Sequence, residues 1–127
     1  MEIVGIGTEI VECVRIGRMI QEHGELFLAR VFTAKEIRHC QKRKSPTEHF
    51  AGQWAAKEAI LKALGIGAGK GRAWTDLEIL HVKGQRPRVH LHGLIKDHAH
   101  QQRVSEIHVT LAHCRAYATA YAMALKA

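Results

Sequence analysis

The amino-acid sequence predicts a fold that mixes helices and strands, with helices crowded into the first half and strands into the second. Three observations carry that reading. Residues 45–65 form one long helical pattern with both ends marked. The stretch from Ile3 to Val11 is β-branched, with glycines interspersed. From Leu77 onward, apolar and polar residues alternate over much of the chain, the period of a half-buried strand. A length of 127 residues suits a single domain, 1–127, around one core.

In order, Ile3–Val11 reads as a first strand, with Gly5 and Gly7 where another backbone can come close. Glu9 stands there among apolar neighbours, a costly place for a carboxylate unless a cation is near. Glu12 to His23 carries Cys13, Ile16 and Ile20 at helical spacing, with Arg15 and Arg18 together on another side. Glu25 to Val31 is a second short helical piece. Thr33 and Glu36 form a capping box that opens a helix running to about Lys42. The basic cluster Gln41-Lys42-Arg43-Lys44 follows. Singly its residues read as solvated charges; as a group they suit a phosphate.

The long helix comes next. Ser45 caps its start, Pro46 fits the first helical position, Glu48 completes a capping box, and Gly65 suits the left-handed residue after the last turn. Phe50, Trp54, Leu61 and Leu64 share an apolar stripe, with Lys57 projecting into its middle and Glu58 at its edge. Lys62 follows Glu58 by one turn; on composition alone the two are an ordinary surface pair. Ala51, Ala55 and Ala59 leave room for another backbone. Beyond the helix, residues 65–71 hold four glycines in seven positions, a loop whose amides can approach a phosphate. It follows a helix, so it is neither a P-loop nor a dinucleotide fingerprint.

Leu77–Val82 is a strand, Gly84–Pro87 a turn, and Arg88–His92 a second strand. Gly93–Gln102 is a short helix. Glu106–His113 alternates again, and His113 falls on the Ile107 face as a core histidine would. Ala116–Leu125 could be a helix by propensity, and hairpin pairing with the preceding strand is also open.

The net charge of +7, from 19 Lys+Arg against 12 Asp+Glu, favours an anionic partner. Nucleic acid is disfavoured: aromatics are few, and Phe50 and Trp54 belong to the apolar stripe instead of a stacking platform. Three widely spaced cysteines give neither a disulfide framework nor a zinc pattern. Among ten histidines, His90 and His92 would share one strand face, and His98 and His100 would do so only in an extended stretch. Such pairs make no site without partners. No apolar run is long enough to span a membrane, and the first residues lack the pattern of a signal peptide. A cytoplasmic location is expected.

Several pieces coincide with a known family. Gly5-Ile6-Gly7-Thr8-Glu9-Ile10-Val11 resembles the motif Gly-x-Gly-x-Asp-Ile-Val. Phe50 to Ala59 resembles a signature in which an aromatic residue precedes Ala-x-Lys-Glu-Ala, with Lys62 one turn on. Val109-Thr110-Leu111-Ala112-His113 resembles Val-Ser-Ile-x-His. In this order they resemble the holo-acyl-carrier-protein synthases, the small type of 4'-phosphopantetheinyl transferase. The likeness covers nearly the whole chain, including Arg15, Phe32 to Glu36, and the turn ending at Pro87.

The resemblance implies an α+β fold, an antiparallel sheet packed on the long central helix. It implies transfer of 4'-phosphopantetheine from coenzyme A to a serine of an apo acyl carrier protein, with release of 3',5'-ADP and a need for Mg²⁺. It also implies a homotrimer with sites between neighbouring subunits. Carried over residue by residue, Glu9 and Glu58 would hold the metal and Lys62 would face the transferring phosphate. A water near either carboxylate would take the serine proton. His113, Gly65, Gly67 and Pro87 would contact coenzyme A, Arg43 or Lys44 would reach the 3'-phosphate, and Arg15 would meet the carrier protein. The sequence departs from the family at Glu9, where Asp is usual, and at Gln53, where many relatives have a basic residue. The longer Glu9 side chain leaves open an alternative, a coenzyme A-binding member with weak or no transfer.

Overall fold

The structure is a computed structural model that describes residues 1–67 and 73–127. Its elements are β1 (Glu2–Glu12), α1 (Cys13–Val31), α2 (Ala34–Gln41), α3 (Pro46–Ala63), a 3₁₀ turn (Trp74–Asp76), β2 (Leu77–Leu80), β3 (Arg88–Leu91), α4 (Gly93–Gln101), β4 (Glu106–His113) and β5 (Tyr117–Lys126). One antiparallel sheet has the order β1-β5-β4, and β2 and β3 form a second, two-stranded one. The architecture is α+β, with α3 laid across the larger sheet.

Local signals account for most of the boundaries. The two helical pieces expected before Phe32 are one element broken at Gly24, which holds φ 52 and ψ −130. Thr33 and Glu36 form the expected capping box, both bonds present. At the end of α3, the Gly65 N–H bonds to Lys62 O and the Ile66 N–H to Leu61 O, with Gly65 at φ 72. That is the Schellman arrangement, and it needs a residue that tolerates positive φ. The start of α3 differs from expectation. Ser45 makes no capping bond, and the Glu48 carboxylate turns away to His113.

The sheet face toward α3 explains the small residues. In β5, Ala118, Ala120, Ala122 and Ala124 are buried and alternate with residues on the opposite face. Their helix propensity loses because β5 pairs on both sides and a larger side chain would push α3 away. In β1 the approach is closer still. A Cβ on Gly5 would lie 2.1 Å from Ala63 O, and one on Gly7 would lie 2.0 Å from Ala59 O. These contacts press the strand bearing Glu9 against the last turns of α3.

The apolar stripe expected on α3 proves to be burial nearly all round, because the sheet covers one side while α1, α2 and β2 pack on others. Ile60, Leu61 and Leu64 are wholly buried, each contributing about 1.5–3 kcal/mol from area removed from water. Trp54 is half-buried and stacks on Trp74, with ring centroids 5.9 Å apart. His98 on α4 and Gln102 just after it both bond to Leu64 O, at 2.9 and 2.7 Å, and so hold the C-terminal end of α3. His98 and His100 lie on a helix, so the extended pairing does not arise. No described helix is long and apolar enough to cross a membrane.

Candidate active site

The last two turns of α3 carry Glu58 and Lys62, and β1 passes beside them because Gly7 permits it. Lys62 Nζ reaches both Thr8 O, at 2.9 Å, and Glu9 Oε2, at 3.5 Å. The costly carboxylate at Glu9 therefore has its cation. Glu9 Oε1 also accepts a hydrogen bond from the Ile10 N–H, at 3.1 Å. The Lys62 side chain is 50% exposed and that of Glu9 20%. Glu58 is half-buried, one turn before Lys62. The structure thus joins Glu9 to Lys62 at an open place, on the helix that carries Glu58 one turn earlier.

This donor set suits Mg²⁺. Two carboxylates supply hard oxygens, and both are partly exposed, so water and phosphate oxygens could complete a shell. Among the described residues no cluster of three His, Cys, Asp or Glu could hold a metal. One or two carboxylates plus water and phosphate is the usual magnesium arrangement, whereas zinc asks for a fuller protein shell.

The same helix also carries a buried polar network. Lys57 is fully buried, and its ammonium meets Glu36 Oε1 at 2.7 Å, Val31 O at 2.7 Å, Leu77 O at 2.6 Å and Trp74 O at 3.1 Å. Burial pulls the Lys57 ammonium below its usual range, and Glu36 pulls it back. The other oxygen of Glu36 accepts from Gln53 Nε2 and from the Ile79 N–H, each at 3.0 Å. Gln53 also donates to Ile79 O. Its remaining oxygen must accept, so His81 Nε2 carries a hydrogen that it donates to Gln53. Gln53 is 2% exposed and fully engaged, so it faces this network and not a phosphate.

A pocket of about 240 Å³ opens beside the network, lined by His39, Arg43, His49, Gln53, His81, Leu111 and His113. It joins the end of α2, the first half of α3, the end of β2 and β4. His39 and His81 stack at 5.1 Å, and His49 meets His113 edge-on at 4.6 Å. His113 lies on the α3 side of the sheet, as its alternation requires, yet it is no core residue. Its side chain is 26% exposed and Nδ1 lies 2.9 Å from Glu48 Oε1.

The other expected residues are dispersed. Lys44 is exposed and does not line the pocket that holds Arg43. Arg15 and Arg18 are exposed on α1 beside the exposed apolar residues Val14 and Met19. Pro87 lies elsewhere, in a cavity of about 580 Å³ with Arg86, His108, Thr110, Tyr121 and Met123 on the outer side of the sheet. Gly65 and Gly67 follow α3, while residues 68–72 of the glycine-rich loop lie outside the described residues. Sequence reasoning missed His39, His49 and His81 as a cluster. Nothing in their spacing joins them; three separate elements do.

Comparison with known proteins finds relatives that cover nearly the whole chain. A model of the 4'-phosphopantetheinyl transferase superfamily matches residues 5–124. The holo-acyl-carrier-protein synthase of Rhodopirellula baltica is 50% identical over 121 residues, covering 95% of this chain and 96% of its own. The crystal structure of the Neisseria meningitidis holo-acyl-carrier-protein synthase superposes with a TM-score of 0.88 at 27% identity, covering 98% of this chain and all (100%) of that one. The Helicobacter pylori enzyme, solved in complex with coenzyme A, gives a TM-score of 0.81 at 27% identity, with 94% and 99% covered.

Proposed function

Because the chain belongs to the 4'-phosphopantetheinyl transferase superfamily, in its holo-acyl-carrier-protein synthase branch, we propose that it moves 4'-phosphopantetheine from coenzyme A to a serine of an apo acyl carrier protein. The carrying observation is the convergence of Glu9 and Lys62, at 3.5 Å, on the turn of α3 that bears Glu58. The serine oxygen attacks the phosphorus that bears pantetheine, the bridging bond of the diphosphate breaks, and 3',5'-ADP leaves. Lys62 sits against the transferring phosphate and offsets its negative charge. A water held by Glu9 or Glu58 accepts the serine proton. A magnesium ion held by Glu9 and Glu58 would supply further charge neutralisation on the diphosphate.

His113 and Arg43 take the nucleotide end of coenzyme A, with Lys44 at the rim for the 3'-phosphate; Gly65 and Gly67 lie along the cofactor. The exposed pair Arg15 and Arg18 docks the carrier protein, whose negatively charged surface suits the +7 chain. The whole chain, 1–127, works as one transferase domain in the cytoplasm, where the described free thiols Cys13, Cys40 and Cys114 stay reduced. It assembles as a homotrimer. In support, the sheet face turned away from α3 exposes Ile6, Ile10, Tyr117 and Tyr121, with Ile10 at 63%. Pro87 opens onto that same side, so it joins a site across a subunit boundary.

The test is the intact mass of an apo acyl carrier protein after incubation with the chain, coenzyme A and Mg²⁺, beside an EDTA control. A gain of one phosphopantetheine that EDTA abolishes is expected. Undiminished transfer by Glu58→Ala would refute the site. A binding-only reading draws on Glu9, whose longer side chain folds back on the Ile10 N–H; saturable coenzyme A binding without product, cured by Glu9→Asp, would favour it.

A further inference from the structure

The histidine pocket holds more latent charge than its two assigned contacts use. His81 donates through Nε2 to Gln53, and His113 faces Glu48. His39 and His49 remain. His39 Nε2 lies 3.4 Å from Arg43 Nη2. A guanidinium only donates, so this nitrogen is an unprotonated acceptor and the His39 ring is neutral. His49 stands edge-on to His113 and half-buried on α3.

The charged neighbours of the pair are Arg43 and Lys42 from the end of α2, Glu48 from α3, His81 beyond β2 and His113 from β4. The pocket thus places a fixed cation and two imidazoles beside one space, and the one carboxylate acting on them, Glu48, is already bonded to His113. A phosphate entering there would draw the Arg43 guanidinium to itself, free His39 Nε2, and stabilise a proton on each ring.

We propose that this pocket binds a nucleotide phosphate together with protons taken up by His39 and His49, so that the hold on coenzyme A tightens as pH falls. The inference rests on the coenzyme A reading above. Burial and the neighbouring cations hold both imidazoles below their usual range before any anion arrives, the direction that proton uptake requires.

Calorimetric titration of the full chain with coenzyme A tests it, in buffers of different ionisation enthalpy at about pH 6.5 and 8. The expected result is uptake of roughly one proton and an affinity about fivefold higher at the lower pH. The His39→Gln/His49→Gln variant keeps polar side chains without titration. Shown to be folded by circular dichroism, it should lose both the uptake and the pH dependence. Comparison with the wild type also cancels titration of the ligand's own phosphate. Dephospho-coenzyme A separates the two sources of phosphate: uptake that disappears points to the 3'-phosphate, uptake that persists to the diphosphate, and either supports the proposal. Binding without buffer-dependent heat, or equal uptake by the double variant, would overturn it. A folded wild type that binds no coenzyme A would remove the functional reading itself, and this inference with it.

Discussion

Lys57 and Lys62 stand on the same helix little more than a turn apart, and their surroundings are opposite. Lys57 has no exposure, and every polar contact it makes is with the protein itself. Lys62 is half exposed and shares its ammonium with Thr8 O and one carboxylate. The first cation is consumed by the fold: it ties the end of α1 and both ends of the 3₁₀ turn to α3. The second is left where an incoming anion can meet it. Charge on a helix therefore says little about role until the other side of each contact is known.

The sharpest way to break the comparison is to remove each ammonium in turn. Lys57→Met should cost about 3–5 kcal/mol in chemical denaturation, because Glu36 is left charged and buried. Adding Glu36→Gln should recover much of that loss, since an uncharged pair carries no orphaned ion; no recovery would mean that the carbonyl contacts of Lys57 dominate. Lys62→Met should lower kcat about 10²-fold or more, by loss of charge stabilisation at the phosphate. Its unfolding midpoint should stay close to that of the wild type, because exposed pairs are worth little.

A smaller effect comes from the histidines of the neighbouring network. Burial, with His39 and Arg43 nearby, pushes the His81 imidazole down to about 4 from 6.5. Between those values the unfolded chain binds a proton that the folded one refuses. Stability is therefore full above about pH 6.5 and drains away as pH falls toward 4. His81 is partly open to solvent, so the loss should be on the order of 1 kcal/mol. Thermal melts across that window would show it, and His81→Gln should flatten the slope.

Much of this was legible in the sequence where the cause is local. The Thr33–Glu36 box, the left-handed Gly65 and the glycine punctuation of β1 each follow from one residue and its immediate neighbours. Ser45 and Glu48 misled because Glu48 had a better partner sixty-five residues away, in His113. The alanines of β5 were ambiguous because propensity is weak and pairing is not local. Within the site, the family motifs marked Glu9, Glu58, Lys62 and His113, and the structure pairs Glu9 with Lys62, one helical turn after Glu58. Gln53 read as a lost phosphate contact; only its amide partners, Glu36, Ile79 and His81, reveal it as part of the interior.

The pairing of β1 with β5 also has a consequence for how the protein is made. Glu2 lies opposite Lys126 and Glu9 opposite Ala120, and among the described residues β1 has no other strand neighbour in its sheet. During translation β1, which carries Glu9, emerges before the other described elements, and its sheet partner β5 emerges after them. Helix α3, with Glu58 and Lys62, can form long before that. The strand that carries Glu9 therefore gains its partner only after the helices have emerged, and a ribosome-bound chain that has not yet extruded β5 should be inert toward coenzyme A however well its helices have folded.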